Sequence, residues 1–198
     1  MIIKIFIATF IIFSQHVYSD PILKSTIFEH DLIYSDTSRF MNHSASIAVK
    51  DSIYYCSWFT AEQEGNVDAR IALSKSYDFG LTWAQPEVIF SSDDDIQWRD
   101  PLLFMLNDTL RMIFVKIYGS GSGSSADSTD LFYSWLSNES NNWANPQKIV
   151  IGKNRPAPPH HSPILINGKL MFGYYWRNED SNQTHAGVLV ASQSLKDW

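Results

Sequence analysis

The chain repeats itself at a distance of sixty residues, and no other feature restricts its fold as much. Ser76-Tyr77-Asp78-Phe79-Gly80-Leu81-Thr82-Trp83-Ala84-Gln85-Pro86-Glu87-Val88-Ile89 returns in worn form as Asn138-Glu139-Ser140-Asn141-Asn142-Trp143-Ala144-Asn145-Pro146-Gln147-Lys148-Ile149, with W-A-x-P-x-x-I common to both. A third start, Ser192-Gln193-Ser194-Leu195-Lys196-Asp197-Trp198, places the next tryptophan fifty-five residues on. Periods of this order belong to folds in which one supersecondary unit is copied and stacked.

A second element recurs upstream of each copy: a polar start, an apolar strand, a tight turn and another apolar strand. The three versions are His43-Ser44-Ala45-Ser46-Ile47-Ala48-Val49 turning at Asp51-Ser52, Arg99-Asp100-Pro101-Leu102-Leu103-Phe104 turning at Asn107-Asp108, and His161-Ser162-Pro163-Ile164-Leu165-Ile166 turning at Asn167-Gly168. Pairs of this kind between β-rich runs are hairpin turns, and no segment carries an i, i+3, i+4, i+7 apolar stripe. The chain therefore reads as all-β. Units of about four short strands with one aromatic turn motif each describe β-propeller blades, here of roughly 55 to 60 residues. On that reading Gly119 to Ser125 is a flexible, solvated loop inside the second blade rather than a domain linker.

The first nineteen residues stand apart from this pattern. Lys4, the apolar run Ile5 to Phe13 and the small residue closing Val17-Tyr18-Ser19 predict a secretory signal cleaved before Asp20, leaving 20–198 as the domain. The run is too short for the roughly 20 apolar residues of a membrane span. Sequons at Asn107, Asn138 and Asn182 fit a glycosylating pathway, whereas the one at Asn42 adjoins a predicted site residue. Cys56 is the only cysteine, which excludes an internal disulfide and reads as a buried small hydrophobe. A net charge of −6 and a pI near 5.4, without any basic cluster, exclude a nucleic-acid partner. Neither a metal nor a cofactor is expected, since His160-His161 alone makes no ligand set.

Ser76, Asp78, Gly80, Thr82 and Trp83 match the sialidase Asp box, S-x-D-x-G-x-T-W, at every defined position. With the flanking H-S-A-S-I, W-R-D-P-L-L-F and H-S-P-I-L-I-N-G-K-L segments, about 155 residues resemble the sialidase superfamily, in its branch of BNR-repeat neuraminidase-like proteins. The resemblance implies a six-bladed propeller of which this chain holds about three blades, with a strand at Ile22 to Phe28 completing the last blade. It also implies that the Asp box is structural, on the rim away from the active site. Its residues suit that role: Asp and Ser side chains bond turn backbone, glycine takes φ > 0, and the tryptophan packs.

Chemistry is then expected at the opposite rim, where the inner strands begin. His43, Arg99, Asp100 and His161 recur there and are read as substrate-binding, with Arg70 beside them. The resemblance places an acid/base carboxyl between the first hairpin and the Asp box; Asp68 and Glu64 are both candidates, each needing a dry funnel to raise its pKa toward the leaving-group range. The family holds its substrate's carboxylate with three arginines, the first in an R-I-P motif where this chain has His43, with Arg39 four residues earlier. The other arginines and the Tyr/Glu nucleophile pair are implied to lie beyond residue 198. The expected function is a secreted, exo-α-sialidase-type glycoside hydrolase acting on glycans. A non-catalytic glycan-binding or receptor propeller and a polysaccharide lyase are the alternatives.

Overall fold

The computed structural model describes residues 33, 38–121, 128–152, 155–157, 159–178 and 183–192. The signal segment, the strand expected at Ile22–Phe28, Asn182, residues 122–125 of the glycine-serine loop and the third repeat from Gln193 onward lie outside the described residues. Among the described residues there are twelve strands and no helix: β1 (Met41–Lys50), β2 (Ile53–Ala61), β3 (Arg70–Ser76), β4 (Glu87–Phe90), β5 (Ile96–Leu106), β6 (Thr109–Tyr118), β7 (Ser128–Trp135), β8 (Gln147–Ile149), β9 (Pro156–Ala157), β10 (Ile164–Ile166), β11 (Lys169–Arg177) and β12 (Thr184–Ser192). They form three antiparallel sheets in chain order, β1-β2-β3-β4, β5-β6-β7-β8 and β10-β11-β12, with β9 also paired to β11. Each sheet is one propeller blade.

The predicted hairpin turns sit at equivalent places in all three. Asp51-Ser52 have φ 50° and 63°, Asn107-Asp108 48° and 56°, and Asn167-Gly168 47° and 75°, the two positive values that a type I′ turn requires. The sixty-residue period is also a hydrogen-bond period. Ser74 Oγ donates to Ala84 O at 2.6 Å and Ala84 N to Lys75 O at 2.8 Å. Sixty residues on, Ser134 Oγ donates to Ala144 O at 2.7 Å and Ala144 N to Trp135 O at 2.9 Å.

Strand β6 shows how two blades share a core. Its side chains alternate between faces, so Leu110, Met112 and Phe114 join Ile71, Leu73, Phe90, Trp98 and Phe132 in the seam with the first sheet. Ile113, Val115 and Ile117 join Leu102, Leu131, Leu170, Phe172 and Leu189 in the seam with the third. In the first seam Phe114 stacks against Phe90, Trp98 and Phe132, at centroid distances of 5.1, 5.5 and 6.1 Å.

The third blade departs from the expected pattern. Its inner strand is split: Pro156-Ala157 pair with Trp176 and Tyr175, and only Ile164–Ile166 pair with Lys169–Met171. Prolines at 156, 159 and 163 remove backbone donors that a continuous ladder needs. His161 therefore lies in the break, exposed and off the ladder, not at the head of a strand as His43 and Arg99 are.

The Asp box is a self-bonded turn. Ser76 Oγ donates to Asp78 Oδ1 at 2.8 Å and accepts from Gly80 N at 2.8 Å; Thr82 N and Thr82 Oγ1 donate to the Asp78 carboxylate at 2.8 and 2.6 Å. Phe79 and Gly80 both have positive φ, 62° and 89°. Trp83 is half-buried against Cys56, Trp58 and Ala72. The hydrogen bonds from Thr82 and then Ser76 hold the Asp78 carboxyl below its ordinary value. A group depressed on folding stabilises the fold above its unfolded pKa, about 3.9 for Asp, and that contribution is lost as pH falls through the folded value. Asp78→Asn should thus flatten the acid limb of a melting-temperature profile below about pH 4, and an unchanged acid limb would refute the role.

Cys56 is 4% exposed, and burial pushes its thiol up to about 11. It should resist iodoacetamide at pH 7.5 in the folded protein and react in urea, where the thiol is exposed; labelling read by mass spectrometry checks this.

Candidate functional site

Strand direction separates two rims. β2 rises from the Asp51-Ser52 turn to Ala61 and β3 descends from Arg70 to Ser76, so the 62–69 loop and the Asp box lie at opposite ends of the first sheet. The β6–β7 connection, beginning at Gly119, is on the 62–69 rim. The two loops are tied by Gly121 N, which donates to Gly65 O at 2.7 Å, and the 62–69 loop is tied to β5 by Trp98 N, which donates to Ala69 O at 3.0 Å.

Two of the three aligned strand heads are geometrically equivalent. β1 has a bulge between His43 and Ser46, and β5 has one between Arg99 and Leu102. Within them Ser44 and Asp100 take φ 55° and 52°. Bulges re-aim side chains at functional rims, and here the equivalent residues meet across the blades: Ser44 Oγ donates to Asp100 Oδ1 at 2.6 Å, and Leu103 N donates to Ser46 Oγ at 2.9 Å. These bulges and the break in the third blade border a cavity of about 350 Å³, lined by Ser44, Ser46, Pro101, Leu102, His160 and His161 among others. His160 stacks on Tyr175 at 6.2 Å.

Phe59 organises the upper part of the site. Its ring takes the edge of His43 at 5.6 Å and the Arg99 guanidinium at 4.4 Å. Arg99 is 7% exposed; Nη2 reaches Glu64 Oε1 at 3.5 Å and Nη1 reaches Gln97 Oε1 at 3.4 Å, while Nε has no partner. Gln97, fully buried two residues earlier and so on the same strand face, spends its amide nitrogen on Gly119 O at 2.8 Å and Gly121 O at 2.9 Å. Neither Phe59 nor Gln97 was singled out by sequence pattern; the i, i+2 spacing to Arg99 is the signal that marks Gln97.

The two candidate carboxyls have different surroundings. Asp68 is bound on every side: its Oδ2 pairs with Arg39 Nη2 at 2.9 Å and both oxygens accept from Glu62 N, at 3.1 and 3.3 Å. Arg39, 11% exposed, also donates to Thr60 Oγ1, Thr60 O and Asp68 O, so its place in the fold is to brace the loop. Glu64, by contrast, is 52% exposed and, among the described residues, held only by the long contact to Arg99. The described fold does not dry it. Arg70 pairs its backbone with Thr60 at the head of β3, and its Nε is buried without a partner; it shares no hydrogen bond with the Glu64–Arg99 pair among the described residues.

The sequon asparagines also differ. Asn42 accepts from Trp58 Nε1 at 3.0 Å and donates to Arg39 O at 3.1 Å, which occupies the amide a glycan would need. Asn107 and Asn138 are exposed on the Asp-box rim. Among the described residues no group of His, Cys, Asp and Glu is placed to hold a metal, and no helix is long and apolar enough to cross a membrane.

No family model and no curated protein sequence matches the chain. Solved structures do. A protein of unknown function from Dyadobacter fermentans superposes with a TM-score of 0.65 at 15% identity, over 82% of this chain and 54% of that one. A family 117 glycoside hydrolase from Zobellia galactanivorans gives 0.60 at 15% identity, over 83% and 55%. A Trypanosoma rangeli sialidase in complex with the inhibitor DANA gives 0.61 at 11% identity, over 79% and 30%. The chain thus spans about half the length of the first two and less than a third of the sialidase. At these identities the likeness establishes the fold: the described chain is part of a β-propeller of the kind found in glycoside hydrolases.

Proposed function

We propose that this chain forms the first part of a secreted glycoside-hydrolase propeller, of the sialidase-like exo-acting type, whose ring is completed by further blades. One observation carries the reading. Arg99 is a guanidinium more than nine-tenths buried, seated on the Phe59 ring, with an unpartnered Nε and two polar contacts of 3.4 Å or longer, one of them to a half-exposed carboxylate. A buried cation so poorly satisfied is costly unless something else binds it. A polar glycan would offer the Nη groups shorter acceptors than the 3.4 and 3.5 Å contacts they now make.

In this reading Glu64 is the general acid/base, protonating the leaving oxygen once the further blades and the substrate close over its half-exposed carboxyl, and Asp68 is a positioning residue that fixes the loop through Arg39. His43 and Arg99, both seated on Phe59, hold the sugar; His161 lines the cavity, and Asp100 bonds Ser44, which lines it too.

The reading is tested in the complete propeller. An aryl α-sialoside should be hydrolysed, and Arg99→Met should raise KM by about ten- to a hundredfold, as expected for loss of a charge-assisted hydrogen bond of about 1.5 to 3 kcal/mol. Cleavage of other aryl glycosides but not the sialoside would narrow the reading to a different glycosidase. Glycan binding without turnover would favour the receptor alternative, and an unsaturated product the lyase.

A further inference from the structure

A second cavity, of about 210 Å³, opens in the seam between the first and second sheets, toward the Asp-box rim. Lys75, Glu87 and Ile89 from β3 and β4 form one wall, and Asn141, Asn142 and Trp143 of the worn repeat form the other. Both walls lie within the described residues, so this cavity needs no further blade to complete it.

Comparison of the two repeats explains its chemistry. In the intact box Ser76, Asp78 and Thr82 spend their side chains on one another and on the turn backbone. Sixty residues on, these positions are Leu136, Asn138 and Asn142, and the turn is closed mainly by backbone bonds, Ser137 N to Asn142 O and Asn141 N to Ser137 O, both at 2.9 Å, with longer bonds from Ser140 N to Ser137 Oγ and Asn142 N to Ser140 Oγ. The side-chain amides of Asn141 and Asn142 take no hydrogen bond among the described residues, and each offers two donors and an acceptor. Trp143 is held in place by its bridge to Leu136 and by an edge contact to Phe90 at 6.1 Å. Its ring supplies an apolar surface suited to the C–H face of a sugar. Lys75 Nζ pairs with Glu87 Oε1 at 2.8 Å, so the wall is polar but self-neutralised.

We propose that this seam is a saccharide-binding site, separate from the funnel, that takes one neutral hexopyranose unit. Neutrality follows from the Lys75–Glu87 pair: an anion would face Glu87 and a cation Lys75, whereas hydroxyls can use both. A single ring follows from volume, since the cavity is smaller than the roughly 300 to 1,000 Å³ of drug-sized ligand sites.

The test is saturation-transfer NMR on the chain made in bacteria, so that Asn138 carries no glycan, with methyl glycosides of glucose, galactose and N-acetylglucosamine at millimolar concentration. At least one should receive saturation from the wild type. The exposed double variant Asn141→Gly/Asn142→Ala, with glycine chosen because Asn141 has φ 54°, should weaken that binding tenfold or more, and Trp143→Ala at least as much, while Arg99→Met leaves it unchanged. Because Trp143 also touches the core, the asparagine pair decides, with circular dichroism confirming the fold. No transfer from folded wild type, an unaffected asparagine variant, or loss of binding in Arg99→Met would each overturn the proposal.

Discussion

Glu64→Gln should lower kcat on a natural glycan by about 10² to 10⁴, the span of a lost general acid, in a protein whose melting temperature is unchanged. Glutamine keeps the shape and the hydrogen-bond reach to Arg99 but has no proton to give. The carboxyl is half exposed and, among the described residues, bonded only at 3.5 Å, so little stability should be lost with it. Asp68→Asn should do the reverse. Its carboxylate pairs with a nearly buried Arg39 and caps Glu62 N, so the loss should appear as about 1 to 3 kcal/mol of stability with a smaller effect on turnover. Kinetics and thermal melts on both variants separate the two roles; equal kinetic losses would show that the division between them is wrong.

Phe114→Ala should carry the largest stability cost, about 3 to 5 kcal/mol. The side chain is fully buried and stacks on three aromatic rings contributed by β4, β5 and β7. The cavity left behind cannot collapse easily, because rigid rings surround it on several sides. For a chain of this length each kcal/mol moves the melting temperature by roughly 2 to 4 °C. Val150→Thr, at a residue 73% exposed, should change stability by less than about 0.5 kcal/mol. A Phe114→Ala protein that melts within a degree or two of wild type would mean that the seam between the first two blades is not the core described.

The blade order, the three I′ turns and the Asp box were legible in the sequence because each is local. Turn residues announce positive φ within two positions, and the W-A-x-P copies carry the same backbone bonds sixty residues apart. The equivalence of His43 and Arg99 was legible for the same reason, since both precede a bulge. His161 lines the same cavity as the two bulges, but the break in the strand there was not legible, because alignment cannot register what prolines do to a ladder. The distinction between Asp68 and Glu64 was hidden for a different reason. It depends on Arg39, 29 residues from Asp68, and on Arg99, 35 residues from Glu64, and such long-range pairings leave no mark on the local pattern. Phe59, which seats both His43 and Arg99, looked like one more apolar residue of a buried strand.

If Glu64 protonates the leaving group beside Arg99, its loss should show in how turnover depends on leaving-group pKa. Across a series of aryl glycosides, wild-type kcat/KM should vary only weakly, because a positioned acid compensates a poor leaving group. In Glu64→Gln it should fall steeply as the phenol pKa rises, with near wild-type rates kept only for the most activated substrates. A Glu64→Gln enzyme with the same shallow dependence as wild type would contradict the assignment.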